Sequence, residues 1–513
     1  MAPNSGMKIH LPLLLLGPAL FAVGCANPNR SPADTITTIV SAPVQSLNPL
    51  YASDANSQHI NELVHSSLVT ISDKLIPEPY LAEEFHFVNP TTIEFTLRKG
   101  CRFANGKEVT SGDVEKSLTF FQDEKNKSVH AEAMKRIKKF ERISDQKFRL
   151  GLEKPSLSVI ADLELMKIMQ LDGIAAGDKP VLIPGVAPYR VAELNPSLIS
   201  LVRNDSGCLP EPPTPKIKIK VVRDDLSRYL KLQRGELDFV QNEMNFRKID
   251  LIEKEKNSAL RVASSPGIGY TYLGLNMTNE KLRDPRVREA LALSLDVPGL
   301  IRYKSRGMAV PARNILADFN YYANTQVPIV QRDLARARAL LDEAGYSNGT
   351  NGKPPLKLSL KTTTAMLSIE NARVIAAQAK EAGILIDHQA FEWGIFYADV
   401  KTGNTELYQL RWVGVVDPRI YFEVFHSGEI GRNNRTRYKN PALDAVIEKG
   451  EATVDLKERK KIYDEVQSMV AKDLPYVGLW YAKNVGVYRK ELSNVAMPPN
   501  GSWRNLLVMR KTP

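Results

Sequence analysis

The sequence predicts an α/β protein built from more than one domain. At 513 residues the chain is longer than one hydrophobic core usually supports. An apolar strand pattern over 356–360, a helical pattern over 370–382 and a second strand pattern over 384–387 predict a β-α-β unit. Residues 76–121 add an alternating strand followed by a capped helix. These observations favour a multi-domain α/β fold.

The stretch 76–121 carries the clearest local signals. Apolar and polar residues alternate over 93–98, the period of a half-buried strand. The Asn105-Gly106 dipeptide predicts a turn. Thr110 and Asp113 have the spacing of a capping box, so a helix is expected to begin between them.

Further elements follow along the chain. Strands are predicted over 35–40, 216–222 and 475–487, and helices over 56–68, 332–344 and 457–472. Gly235 is expected to end a helix. Two dipeptides, Asp284-Pro285 and Asn440-Pro441, are typical helix starts, because proline suits the first helical position.

Composition is that of a globular protein, with 43% hydrophobic and 25% charged residues and a net charge of +11. The charges are scattered, and the densest cluster, 135–139, is interpreted as a solvated helix face. There is no concentrated basic patch or nucleic-acid module, so no nucleic-acid partner is expected.

Cysteine and histidine usage indicates no metal site and no cofactor. The seven histidines lack ligand spacing. Cys101 follows the predicted strand and is interpreted as a small core residue. Cys208 lies in a proline-rich loop, and whether it pairs with Cys101 is left open.

Several short motifs occur in a fixed order along the chain. They are SLNP (46–49), PYLAEEF (79–85), FTLRKGCRFANGK (95–107), SGDVEKSL (111–118), PGVAPY (184–189), LVRN (201–204), QRGELD (233–238) and DPRVREALALSLD (284–296). Together they closely resemble the family 5 bacterial extracellular solute-binding proteins of peptide and nickel ABC importers. The resemblance covers nearly the whole chain from about residue 35.

The resemblance implies a periplasmic-binding-protein-like fold (type II, cluster C), with two α/β lobes, a hinge and a smaller inserted domain. The expected division gives lobe I residues 35–71, 182–268 and 481–513. The inserted domain takes residues 72–181 and lobe II takes 269–480. A monomer is expected.

The N-terminus predicts export. An apolar segment over 11–23 is too short to span a bilayer and fits a secretory signal peptide, assigned to residues 1–24. The ending Ala22-Val23-Gly24-Cys25 resembles a bacterial lipobox, which implies lipidation of Cys25 and a tether over 25–34. The alternative is an ordinary cleaved signal with an incidental cysteine. The expected location is periplasmic or cell-envelope, lipid-anchored at Cys25.

The ligand is expected between the lobes. In peptide-binding relatives the bound chain pairs with backbone edges of both lobes as an added strand. When these two edges are transferred to this sequence, the first is Ser53-Asp54-Ala55. The second runs from Leu410 to Gly414 and includes Arg411, Trp412 and Val413. Arg373 is nominated for an anionic ligand group, against the alternative of a solvated helix arginine. On the crossover strand, one of Tyr270 and Tyr272 is expected to face the cleft while the other packs, and Tyr270 is nominated as a ligand-binding residue.

One departure from the family pattern concerns ligand charge. Relatives usually place an aspartate three residues after the tryptophan, where it pairs with the peptide ammonium group, but this chain has Val415. Either Asp417 or Asp54 replaces that aspartate, or the ligand has no amine there. Asp417 is also a candidate helix cap. Together with Arg411 and Arg419, the missing aspartate favours an anionic or carboxylate-bearing ligand.

The predicted function is capture of an oligopeptide or peptide-like solute and its delivery to an ABC permease and ATPase complex, without catalysis. The alternatives are a non-peptide ligand (metal chelate, haem, oligosaccharide or anionic metabolite), a secreted hydrolase, or a chaperone-like or adhesion lipoprotein that keeps the fold. The hydrolase alternative lacks a G-x-S-x-G motif and metal-ligand spacing.

Overall fold

The computed structural model describes residues 29–255, 258–347 and 352–512. The predicted signal peptide and the lipidation of Cys25 therefore lie outside the described residues. Within these ranges, no helix has the length and apolar character needed to cross a bilayer.

Strands of the described residues are numbered in chain order. They are β1 Thr35–Val40, β2 Val69–Ile71, β3 Pro77–Pro79, β4 Ala82–Asn89, β5 Thr92–Leu97, β6 Ile137–Arg142, β7 Lys147–Leu152, β8 Tyr189–Asn195, β9 Leu198–Arg203, β10 Lys216–Val221, β11 Phe239–Gln241, β12 Leu260–Leu275, β13 Ala309–Pro311, β14 Leu356–Thr363, β15 Ile384–Phe391, β16 Leu407–Trp412, β17 Tyr476–Arg489, β18 Leu492–Ser493 and β19 Arg510–Lys511.

Helices are numbered in the same way. They are α1 Ala55–Val64, α2 Ser111–Gln122, α3 Ala131–Met134, α4 Ser158–Asp162, α5 Asp225–Gln233, α6 Phe246–Lys254, α7 Glu280–Arg283, α8 Pro285–Ser294, α9 Val297–Lys304, α10 Leu334–Glu343, α11 Met366–Ala382, α12 Trp393–Thr402, α13 Ile420–Phe425, α14 Pro441–Ala452 and α15 Leu456–Asp473.

Three larger sheets organise these elements. The first lobe contains the sheet β1-β10-β9-β8, and the inserted domain contains the antiparallel sheet β4-β5-β7-β6. The second lobe contains most of the sheet β11-β17-β12-β16-β14-β15, with β13 paired to β17. The mixture of sheets and helices in two lobes confirms the predicted α/β fold class. The residue limits of each lobe stay a proposal.

Strands β12 and β17 connect the two lobes. They pair antiparallel from Leu260 opposite Arg489 to Gly274 opposite Tyr476. One end of the pair packs in a core with Ile39 of the first lobe, and the other end packs in the core of the second lobe. The pairing shifts register between Pro266 and Gly269, near the middle of this crossing. The pairing shifts register again between Thr271 and Tyr272.

Local sequence signals define several of these elements as expected. Thr110 and Asp113 form the predicted capping box at the start of α2. Asp284 caps α8, with Pro285 as its first residue. The β-α-β unit is present as β14, α11 and β15, with β14 and β15 parallel over their full length.

One local prediction is corrected, and one question that the sequence left open is answered. Residues 137–142 form strand β6 rather than a helix face, because Ile137 and Phe140 pack against the inserted-domain core while Lys138 and Lys139 are exposed. Cys101 is buried as expected, but it forms a disulfide with Cys208, with the Cα atoms 4.7 Å apart. The two cysteines are 107 residues apart, so spacing alone could not reveal this pair.

Candidate functional site

Three strands of the second lobe end at the same edge of their sheet. Strand β14 is parallel to β15 and to β16, so their carboxyl ends lie together. We call residues 363–367, 391–395 and 411–414 the strand-end rim. In open α/β sheets, ligands bind beside the carboxyl ends of strands.

Exposed apolar side chains are concentrated on the strand-end rim. Five of them are more than half exposed: Met366, Leu367, Trp393, Ile395 and Val413. The rim is held together locally, since Thr364 donates its backbone N–H to the carbonyl oxygen of Phe391 at 3.1 Å. A group of exposed apolar residues at one edge marks a surface that another molecule can cover.

Strand β16 has an open edge at the rim. Its pairing with β12 continues to Trp412, opposite Tyr270, whereas its pairing with β14 ends at Tyr408. Among the described residues, Gln409 to Trp412 therefore have a neighbouring strand on one side only. Such an edge can accept an extended chain through backbone hydrogen bonds.

A stack of aromatic rings and one guanidinium lies beside this edge. Trp393 stacks on Tyr397, with the ring centroids 5.1 Å apart. The guanidinium of Arg435 lies 5.1 Å from the centroid of Tyr397 and 4.3 Å from that of Trp412. This stack, Trp393–Tyr397–Arg435–Trp412, runs from the exposed rim to the end of β16.

Arg435 is fixed by its neighbours but has no acidic partner among the described residues. Its Nη2 donates to the Tyr397 hydroxyl at 3.1 Å, and its buried Nε has no hydrogen-bond partner. Burial acts to lower the pKa of Arg435, but the phenolic groups of Tyr272 and Tyr476 raise it overall. The group therefore remains a cation. Sequence reasoning missed Arg435 and Tyr397, because neither stands in a recognised motif.

Arg411 is a second cation at the same strand end. A Cβ atom at Gly269 would collide with its guanidinium, so this glycine makes room for the arginine. No ion pair joins Arg411 to any described residue. Desolvation by the surrounding protein lowers the pKa of Arg411.

The structure pairs Asp417 with an arginine instead of leaving it open to a ligand. Both carboxylate oxygens accept from Arg459 at 2.9 Å, and Oδ1 also accepts from Ser158 Oγ and the backbone N–H of Arg419. Burial would raise the pKa of Asp417, but the charge and hydrogen bonds of Arg459 hold it below its usual value. Val415 is 7% exposed and packs in the second-lobe core.

The prediction for Tyr270 is corrected. Tyr270 is 3% exposed and stacks on Tyr272, with the centroids 5.5 Å apart. Residues two apart in a strand point to the same face, so both side chains enter the core. Tyr270 lines a cavity of about 480 Å³ inside the second lobe, together with Tyr421 and Phe425.

The remaining predicted site residues lie on both lobes. Asp54 caps α1 by accepting from Ser57, while Ser53 and Ala55 beside it are exposed. Arg373 is exposed on α11, close enough to His388 for its charge to add to burial in lowering the pKa of that histidine. Their contact with a ligand stays a prediction.

Residues 77–431 match the profile of the bacterial extracellular solute-binding proteins, family 5. The chain belongs to this family. It is a solute-binding protein. It is 25% identical over 482 residues to the oligopeptide-binding protein AppA of Bacillus subtilis, covering 88% of this chain and 85% of AppA.

Two further comparisons, one with a protein sequence and one with a solved structure, agree with this assignment. The glutathione-binding protein GsiB of Escherichia coli K12 is 26% identical over 490 residues, covering 91% of this chain and 93% of GsiB. Among solved structures, NikA from Brucella suis in complex with Fe(III)-EDTA superposes with a TM-score of 0.82 at 21% identity. That alignment covers 94% of this chain and all of NikA, and it supports the two-lobed fold.

Proposed function

We propose that this protein is the substrate-binding protein of an ABC importer and captures a peptide-like solute between its lobes. The observation that carries the proposal is the open edge of β16 beside the aromatic stack. An extended peptide can pair with Gln409–Trp412 while its side chains contact the exposed apolar groups of the rim. Relatives named for oligopeptide and glutathione binding support the same ligand class.

Delivery requires the lobes to move. Strands β12 and β17 form the crossing between them, and rotation about the register shift at Pro266–Gly269 would bring Ser53, Asp54 and Ala55 toward the rim. The closed, loaded form would then dock on a permease and ATPase complex. We further propose that the protein acts as a monomer in the periplasm or cell envelope, anchored by lipid at Cys25.

Native mass spectrometry tests the ligand class. The purified protein is mixed with a pool of free-acid tripeptides of varied sequence, and the expected result is a set of one-to-one complexes with peptide masses. Peptides selected from the pool are then compared with analogues whose backbone nitrogens are methylated. Because methylation removes the N–H donors that pair with β16, binding should weaken at least about tenfold.

Both peptide series carry the same side chains, which is the control. A difference in affinity between them therefore reports on the backbone N–H groups alone. A folded protein that forms no complex with the pool at millimolar concentration would contradict the proposed function. Equal binding of methylated and unmethylated peptides would contradict strand addition at β16 but not peptide capture.

A further inference from the structure

The cavity inside the second lobe has the properties of a second ligand site. We propose that it binds a small, neutral, largely apolar molecule that carries a carbonyl-type acceptor oxygen. Its volume is about 480 Å³, within the range of roughly 300–1000 Å³ that is typical of small-molecule sites. Protein interiors are close-packed and contain few voids larger than a water molecule. The cavity is therefore more than an ordinary packing void.

The cavity is separate from the strand-end rim. None of its lining residues belongs to the rim, and they come from the ranges 285–289, 312–330, 421–425 and 468–478 and from Tyr270 of β12. Its exposed lining residues include Glu289 on α8, Gln326 on the loop before α10, and Lys472 on α15. We therefore assign its opening to the surface between α8 and α15.

Most of the lining is buried and apolar. Tyr421 and Phe425 contribute aromatic rings that are at most 1% exposed, and Ile315 and Val327 contribute aliphatic side chains. Arg313 also lines the cavity, but its guanidinium donates to Asp318 at 2.9 and 3.0 Å. An ion would lose its hydration here without gaining a free counter-charge, so the cavity favours a neutral ligand.

One polar feature of the lining is the hydroxyl group of Tyr421. Burial raises the pKa of Tyr421, while the neighbouring backbone N–H groups of Ile315 and Leu316 act to lower it. These N–H groups cannot accept a proton, and the described residues provide no acceptor for the hydroxyl. Tyr421 is therefore a protonated donor, and its hydroxyl lies beside Ile315 of the cavity wall.

A second hydroxyl group, that of Tyr270, faces the lining at Gly478. A Cβ atom at Gly478 would lie 3.0 Å from the Tyr270 hydroxyl oxygen, so the glycine leaves space next to this group. No hydrogen bond joins the Tyr270 hydroxyl to any described residue. Buried donors without acceptors are costly, and a carbonyl oxygen has two lone pairs that can accept from them. This is the reason for the proposed ligand class.

The test measures the affinity of two probes of nearly the same shape by isothermal titration. Acetophenone carries a carbonyl oxygen, and isopropylbenzene carries a methyl group in its place. Both probes should bind the unchanged protein at one site, because both have an apolar body that the lining can cover.

A double variant tests the hydroxyl groups. Tyr270→Phe combined with Tyr421→Phe removes both hydroxyls and keeps both rings. It should weaken acetophenone binding at least about tenfold and change isopropylbenzene binding less than about twofold. Tyr303→Phe is the matched control, because Tyr303 is a tyrosine of the second lobe that is 77% exposed. It should change the affinity for neither probe.

A second variant locates the site. Val330 lines the cavity and is 38% exposed, so a tryptophan at this position should fill the entrance. Val330→Trp should weaken the binding of both probes at least about tenfold. Val508→Trp makes the same change at an exposed position of the first lobe and should retain the affinity of the unchanged protein.

Three results would overturn the proposal. The first is no binding of either probe to the folded protein at millimolar concentration. The second is full affinity for both probes in Val330→Trp, which would place the binding elsewhere. The third is an equal effect of the double tyrosine variant on both probes, which would contradict the carbonyl-acceptor class. None of these results bears on peptide capture, since neither probe contains a peptide backbone.

Discussion

Replacement of Arg459 with alanine is expected to lower the free energy of unfolding by about 3–5 kcal/mol. The Arg459 side chain is 0% exposed and pairs with Asp417 through two hydrogen bonds of 2.9 Å. Removal of the guanidinium would leave the Asp417 carboxylate buried without its counter-charge. That uncompensated charge, rather than the lost attraction alone, causes the large effect.

The surroundings of Arg459 increase the cost. Its guanidinium also donates to Ser158 Oγ at 2.7 Å and to the Tyr322 hydroxyl at 3.2 Å. Ser158 belongs to α4 of the inserted domain, whereas Arg459 and Asp417 belong to the second lobe. The network therefore joins two parts of the molecule, and its loss should also weaken their contact.

Urea unfolding followed by tryptophan fluorescence measures the Arg459 effect. The matched control is Lys461→Ala on the same helix, where an exposed ion pair with Glu458 should contribute less than about 1 kcal/mol. The double variant Arg459→Met with Asp417→Asn should regain a large part of the loss, because neither charge is then left alone. A loss below about 1 kcal/mol for Arg459→Ala would contradict this interpretation.

Stability is expected to fall between pH 6.5 and pH 4 because of His65. This side chain is fully buried, its Nε2 contacts the carbonyl oxygen of Ile183 at 3.1 Å, and its Nδ1 has no partner among the described residues. Burial lowers the pKa of His65 to about 4, compared with 6.5 in the unfolded chain. The folded pKa is the lower one, so the unfolded chain binds a proton first as the pH falls.

The His65 contribution is therefore fully present above pH 6.5 and is lost progressively as the pH falls to about 4. The difference between the two pKa values corresponds to about 3 kcal/mol. Glutamine at position 65 retains a donor for the carbonyl oxygen of Ile183. In the His65→Gln variant, the difference in free energy of unfolding between pH 7 and pH 4 should be smaller by that amount. Urea unfolding at both pH values measures it.

His86→Gln is the control for the pH experiment, because His86 is a largely exposed histidine of the inserted domain. Its variant makes the same substitution at an exposed position and is measured at the same two pH values. A His65→Gln variant that also kept the full pH dependence would show that other groups cause it.

Each element that the sequence predicted correctly is specified by a short stretch of the chain. The capping box at Thr110 and Asp113 and the Asp284-Pro285 helix start depend on residues one to three positions apart. The β-α-β unit depends on a periodic pattern within about 40 residues. Such local signals, together with ordered motifs, were sufficient for the fold class and the family.

The features that sequence missed depend on contacts between distant residues. Arg459 lies 42 positions from Asp417 and 301 from Ser158, so no local pattern connects them. The same holds for the disulfide between Cys101 and Cys208 and for the position of Arg435 over Trp412. The error at Tyr270 has a local cause. Side chains two residues apart in a strand lie on the same face, so the strand pattern itself places Tyr270 with Tyr272.

Small-angle X-ray scattering with and without ligand tests the central claim most directly. The protein is measured alone and at saturation with a tripeptide selected from the pool. If the lobes close about β12 and β17 on a captured solute, the radius of gyration should decrease reproducibly in the saturated sample. Identical scattering profiles for the free and the saturated protein would contradict capture by closure.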